Sequence, residues 1–221
     1  MPHRRSSTAV LSCFAVVAIV DLVAEFAGWS LVSRGCRLLL MPLLVWLCWT
    51  ASVRRTRLLI LVMIALGFSW LGDFAGVTIL LKIGFFLVAQ VVYIVAFRPY
   101  WRHSLLTRPG LLTVYCIALA AVIGVAAVAA GPLLVPVAVY GASLALMAVL
   151  ATGVSRLTGI GGALFLLSDI VLAVELFIAP GAIPHGAVAN MVIYLPAQLL
   201  IALGTVQAVS AGTPEVSDQV A

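Results

Sequence analysis

The stretch Leu58-Leu-Ile-Leu-Val-Met-Ile-Ala-Leu-Gly-Phe-Ser-Trp-Leu-Gly-Asp73 decides the fold. It is a hydrocarbon-like run that carries no charge until its last residue, an aspartate. A bilayer core of ~30 Å needs about 20 apolar residues in a helix, and positions 57–75 supply such a run. A second aspartate, Asp169, ends a similar stretch, Gly162-Ala-Leu-Phe-Leu-Leu-Ser-Asp169. The chain has seven acidic residues, of which Glu215 and Asp218 lie in a plainly polar segment. The others, Asp21, Glu25, Asp73, Asp169 and Glu175, fall inside apolar runs. Each ionisable group at the centre of a membrane helix costs roughly 2.5–3.5 kcal/mol on insertion scales. Such costs, repeated along one chain, point to a polar cavity inside a membrane bundle.

Composition agrees. The 221 residues are 65% hydrophobic and 9% charged, against about 25% charged in soluble domains. No polar stretch is long enough to fold alone, so residues 1–208 read as one all-α domain, a polytopic membrane bundle. The net charge of +5 does not indicate nucleic-acid binding, because the basic residues flank apolar segments as membrane topology requires. Cys13, Cys36, Cys48 and Cys116 lack metal-ligand spacing and read as small packing residues. His3, His103 and His185 fall in tails or loops, and no metal or organic cofactor is implied. Arg4 and Arg5 before an apolar run resemble a signal peptide, but no small-residue cleavage site follows, so an uncleaved first helix is expected.

Eight transmembrane helices are expected, near 9–31, 35–52, 57–75, 78–98, 110–130, 133–152, 157–178 and 186–208. Their breaks are Ser33-Arg34-Gly35, Arg54-Arg55, Gly76, Arg98-Pro99, Gly131-Pro132, Ser155-Arg156 and Pro180-Gly181. Glycine relaxes φ and proline removes a donor, so both punctuate. The joint between the third and fourth spans is the shortest, and Lys82 has to snorkel from the first turn of the fourth. With the N-terminus inside, Arg4, Arg5, Arg54, Arg55, Arg57, Arg98, Arg102, Arg108 and Arg156 are cytoplasmic, and Arg34, Arg37 and Lys82 are outside. That bias predicts a multi-pass cell-membrane protein with both termini cytoplasmic. The tail 209–221, with Pro214, Glu215 and Asp218, reads as disordered. The pairs Gly72-Asp73 and Ser168-Asp169, with Ala89-Gln90 and Ala197-Gln198, suggest a faint four-plus-four duplication.

At 1.5 Å per residue, Asp73 lies roughly 24 Å along its span and Asp169 about 20 Å along its own, both in the outer half. Asp21 and Glu25 share that half. Gln90 and Tyr93 occupy one helix face, as do Tyr194 and Gln198, about 12 Å below the outer surface. These groups either line a substrate site or act as interhelical hydrogen-bond glue. Asp21 and Glu25, one turn apart, either pair with Arg34 or Arg37 or belong to the site. Glu175 reads as a headgroup-level residue. Asp73 and Asp169 lie deep and have no sequence-local cation, which favours a functional role. Pro196, between Tyr194 and Gln198, removes one backbone bond and is expected to kink the last span. Gly72, Gly161 and Gly162 allow close helix approach.

At these residues the chain resembles the YhhN family of lysoplasmalogenases. The matching stretches are Trp70-Leu-Gly-Asp-Phe74, Gly84-Phe-Phe-Leu-Val-Ala-Gln-Val-Val-Tyr93, Gly162-Ala-Leu-Phe-Leu-Leu-Ser-Asp-Ile170 and Tyr194-Leu-Pro-Ala-Gln-Leu-Leu-Ile-Ala-Leu-Gly204. A weaker match is Arg37-Leu-Leu-Leu-Met-Pro-Leu43, where the family often reads Lys-Pro, so Arg37 keeps the charge and Leu38 departs from the pattern. Gln90 stands where His also occurs. The resemblance implies an integral membrane hydrolase acting on the vinyl-ether bond of lysoplasmalogens, releasing a fatty aldehyde and a glycerophospho-headgroup.

That chemistry suits two carboxyls. Protonation of the β-carbon gives an oxocarbenium ion, water adds, and the hemiacetal collapses. One acid and one carboxylate meet the need, as in the related oxocarbenium problem of glycosidases. Asp73 and Asp169 are the expected catalytic pair. Gln90, Tyr93, Tyr194, Gln198 and Arg37 are the expected substrate-binding set. The chain of a lysophospholipid or other ether lipid would lie among Phe85, Phe86, Leu164 and Phe165, with Arg37 or Lys82 at the phosphate. Membrane lipids are the other expected partners, and the sequence is silent on oligomeric state. A proton-coupled transporter is the alternative, since intramembrane acids are common proton relays and a repeat fits transporter architecture. An intramembrane aspartyl protease also uses two aspartates, but Leu-Gly-Asp-Phe and Leu-Ser-Asp-Ile do not match that class. A purely structural protein would leave the acids unexplained.

Overall fold

A lipid-embedded helix must close its own backbone hydrogen bonds, and the chain does so along nearly its whole length. The computed structural model describes residues 2–52, 54–74 and 78–212. Eight α-helices follow in order: α1 (Pro2–Phe26), α2 (Ser30–Ala51), α3 (Arg57–Phe74), α4 (Ile79–Phe97), α5 (Pro109–Ala129), α6 (Leu134–Ala151), α7 (Arg156–Ala173) and α8 (Gly186–Ala211). No strand occurs among the described residues. Short 3₁₀ turns cover Arg98–His103, Leu105–Thr107 and Gly131–Leu133, and a π turn, Val174–Ile178, prolongs α7. Among the described residues, seven helices, α1–α4 and α6–α8, are long and apolar enough to cross a membrane, so this is a multi-pass membrane protein. Large apolar side chains such as Ile19, Leu31 and Val128 stand on the outside, where lipid rather than water receives them.

Two helix starts are fixed by side-chain caps. Ser155 caps α7 by accepting from the Thr158 amide at 3.1 Å, and Thr78 caps α4 by accepting from Leu81 at 3.3 Å. Such caps satisfy amides that the first helical turn leaves free. Gly76 lies outside the described residues, as does the tail from 213 onward. The expected tail start at 209 needs correction: α8 continues to Ala211 and ends at Gly212, whose φ of +65° suits glycine.

The expected break at Ser33-Arg34-Gly35 is also corrected. These residues lie inside α2, and the turn from α1 falls at Gly28, with φ +75°. Charge misled here. Arg34 and Arg37 sit within the first turns of α2, and Arg37 points back at α1 rather than marking a helix end.

Two prolines lie inside helices without ending them: Pro42 in α2 and Pro196 in α8. A proline leaves the carbonyl four residues earlier without its helical donor. For Pro42 that carbonyl is Leu38, and it accepts the Trp70 indole N–H of α3 at 3.0 Å. A neighbouring helix therefore supplies the bond that proline removed, as a membrane interior demands.

The main core cluster is built from α1–α4 and α6–α8, with Leu44, Leu59, Leu66, Tyr93, Phe97, Met147, Phe165 and Ile201 almost fully buried, and a smaller one joins α5 to α6 through Ala126, Ala130 and Val137. Glycines set the helix spacing. A Cβ on Gly161 would lie 2.8 Å from the Ala197 carbonyl oxygen and the Ile201 amide of α8. A Cβ on Gly204 of α8 would collide with Thr158 of α7. The α7–α8 contact is therefore backbone against backbone, the arrangement small residues permit in membranes. Helix α8 also touches α1, α2 and α3, while α5 leans on α6 and the π turn.

Candidate active site

The end of α3, the start of α4, the end of α5, the start of α6, the end of α7 and the start of α8 meet at one end of the bundle. Between them lies an open, mostly apolar cavity. Its polar lining is sparse: Asp73, Lys82, Tyr140, Asp169, Asn190 and Tyr194. The rest of the wall is apolar, including Phe86, Leu119, Ile123, Leu144, Leu172 and Phe177. A concave apolar pocket with few convergent polar groups is the usual form of a small-ligand site.

Each aspartate is held by a tyrosine from another helix. Tyr194 of α8 donates its phenol O–H to Asp73 Oδ2 at 2.9 Å. Tyr140 of α6 donates to Asp169 Oδ2 in a short hydrogen bond. The Ser168 hydroxyl donates chiefly to the Phe165 carbonyl at 2.7 Å and stands 3.5 Å from Asp169 Oδ1. The Asn190 amide donates to the Ser168 carbonyl at 3.2 Å, tying α8 to the turn that carries Asp169. The Tyr194 ring is fixed edge-on by Phe165 and Phe86, with centroids 5.6 and 6.0 Å away. Gly72 makes room for this, since a Cβ there would meet the Phe86 ring at 2.6 Å. The charge of Lys82 acts on both carboxyls.

Behind the cavity the polar groups continue into the core. Gln198 donates to Ser69 Oγ at 3.2 Å and to the Tyr194 oxygen at 3.4 Å. Tyr93 donates to Gln198 Oε1 at 2.9 Å. A separate branch runs from Tyr140: Ser143 stands 2.8 Å from the Tyr140 carbonyl and donates to Gln90 Oε1 in a short bond. Buried polar groups cost several kcal/mol unless paired, and these pairings bind α3, α4, α6 and α8 together. Gln90 Nε2 is buried with no partner among the described residues.

The structure thus brings Asp73, Asp169 and Tyr194 to the cavity, with Gln198, Tyr93 and Gln90 in the layer behind. Arg37 is elsewhere. Its Nη2 donates to Glu25 at 2.7 Å and its Nε lies 3.5 Å from buried Asp21, with Ser33 donating to Glu25 at 2.6 Å. Of the two arginines that could pair with Asp21 and Glu25, Arg37 is the one that does, and Arg34 stays exposed. Glu175 accepts from the Gly181 amide at 2.9 Å in the loop after the π turn. Phe86 lines the cavity, whereas Phe165 packs in the core behind it. Among the described residues no three His, Cys, Asp or Glu side chains gather as a metal site would require.

Tyr140, Ser143, Ser69 and Asn190 are site residues that the sequence alone does not single out. Tyr140 and Ser143 carry a usable signal, being two hydrogen-bonding residues one turn apart in an otherwise apolar helix. With no acid in that span, nothing marks the face as important.

The YhhN family model matches residues 32–205. This chain belongs to the YhhN family. The matched region runs from α2 through most of α8 and contains every polar residue of the cavity, whereas Asp21 and Glu25 precede it. No curated protein and no solved structure matches the chain.

Proposed function

We propose that this YhhN-family protein is an integral membrane hydrolase that cleaves the vinyl-ether bond of lysoplasmalogen or a closely related ether lipid. The observation that carries the reading is the presence of two carboxyls from separate helices, Asp73 and Asp169, in the wall of one otherwise apolar cavity. In the reaction, one carboxyl in its acid form donates a proton to the β-carbon of the vinyl ether. The resulting oxocarbenium ion is stabilised by the other, ionised carboxylate, which also receives a proton from the attacking water. The hemiacetal then breaks its C–O bond to leave a fatty aldehyde and a glycerophospho-alcohol. One water is consumed and the protons balance.

Tyr140 and Tyr194 fit this scheme as positioning residues, each holding one carboxyl oxygen and leaving the other available toward the cavity. The apolar wall suits the hydrocarbon chain. We further read α5 as an eighth span and both termini as cytoplasmic, which puts the cavity in the outer half of the bilayer.

The test is aldehyde release from lysoplasmalogen by purified protein in detergent. Wild type turns over, while Asp73→Asn and Asp169→Asn fold and lose turnover. Full activity in both variants ends the two-carboxyl mechanism. Absence of activity in detergent, with substrate-driven proton movement in sealed vesicles, establishes a transporter instead.

A further inference from the structure

Lys82 is the cavity's one cation among the described lining residues, and it makes no hydrogen bond or ion pair among them. It sits in the first turn of α4, half-buried, with its ammonium 6.0 Å from the Phe86 ring centre. The other basic residue expected at a phosphate, Arg37, is committed to Asp21 and Glu25. The charge of Lys82 acts on both aspartates, but neither forms an ion pair with it, and each is held by a tyrosine instead. The ammonium therefore has its direct contacts open to an anionic group of a ligand.

Lys82, Asp73 and Asn190 lie in the first turns of α4, the last turn of α3 and the first turns of α8, respectively. Leu119 and Ile123 of α5, Leu172 of α7 and Phe177 of the π turn add apolar wall to the same cavity. These side chains suit a hydrocarbon chain.

We infer that Lys82 is the anchor for a phosphate group, and that the cavity takes a single-chain amphiphile with its phosphate at Lys82 and its chain against α5 and the π turn. This rests on the hydrolase reading and deepens it: the phosphate fixes how far the chain enters and so sets which bond meets Asp73 and Asp169. The pose makes Lys82 a specificity residue, since a lipid of the same chain without phosphate lacks the ion pair.

The experiment measures binding rather than turnover, so that it stands apart from the proposed activity. Protein in phosphatidylcholine nanodiscs is titrated with a saturated 1-O-alkyl lysophosphoethanolamine, which has no vinyl ether to cleave. Parallel arms use the matching 1-O-alkylglycerol, which lacks phosphate, and glycerophosphoethanolamine, which lacks the chain. Wild type binds the phosphate-bearing lipid most tightly. Lys82→Gln weakens that lipid by about ten- to a hundredfold, the size of one charge-assisted hydrogen bond, and leaves the alkylglycerol affinity unmoved. Lys82→Arg restores most of the difference. Equal weakening of both lipids in Lys82→Gln makes Lys82 a shaping residue and overturns the proposal, as does binding of the chainless headgroup as tightly as the lipid. If these arms behave as expected and no vinyl ether is cleaved, the hydrolase reading alone fails.

Discussion

Two pairs of acids lie in this bundle, and the protein treats them differently. Asp21 and Glu25 on α1 are answered by a cation, Arg37 of α2, with Ser33 adding a hydrogen bond. Asp73 and Asp169 are answered by neutral phenols, Tyr194 and Tyr140, and open onto a cavity. In the first pair a single guanidinium is shared by two carboxyls and joins α1 to α2. The second pair is held in place without a guanidinium, so either member can carry or release a proton at little structural cost. One arrangement joins two helices and the other is suited to chemistry.

That contrast can be broken most directly at the carboxyls of the cavity. Asp73→Asn and Asp169→Asn are each expected to lower kcat/KM for aldehyde release by about 10²- to 10⁴-fold, the usual worth of a positioned acid or base. Thermal stability should stay close to wild type, because Asn still accepts the tyrosine O–H. Loss of folding in both variants would show that the pair is structural like its counterpart on α1. Arg37→Met should do the reverse and cost about 3 kcal/mol of stability, since buried Asp21 loses its compensating charge; the figure sits at the low end because Arg37 and Glu25 keep some exposure. Denaturation in mild detergent reads this out, and an unchanged midpoint would mean that α1 does not depend on the ion pair.

Smaller effects sharpen the comparison within the cavity. Tyr140→Phe and Tyr194→Phe should each lower kcat by about tenfold, through one lost hydrogen bond to a carboxyl. Tyr194→Phe should also cost stability, because Gln198 and, through it, Tyr93 and Ser69 are joined to the same phenol oxygen. Equal stability in the two variants would detach Tyr194 from the buried network. Finally, kcat/KM should form a bell against pH. The acid limb falls when both carboxyls are protonated and no carboxylate remains, and the alkaline limb falls when both are ionised and no acid remains. A profile flat across both limbs argues against proton transfer by this pair.

Part of the site is legible in the amino-acid sequence. Asp73 and Asp169 stand out because a carboxyl deep in an apolar run is costly, and helix rise alone puts them in the same half of the membrane as Tyr194 and Gln198. Arg37 and Tyr140 are harder. Depth along a helix follows from counting, but bearing around its axis does not. Arg37 lies toward the same end of the bundle as the cavity yet points at α1. Tyr140 points into the cavity from a helix with no acid to mark it.

The membrane helices follow from the chain's own apolar runs, because a segment in lipid must satisfy its backbone internally and an α-helix does so without help from neighbours. Which acids meet, and whether a cation or a phenol meets them, depends on how the helices rotate and press together. That is set by contacts between distant segments, such as Gly161 against the α8 backbone and Gly204 against Thr158. A glycine is a common residue in such helices, and only its packed partner reveals which ones bring two helices close enough to make a site.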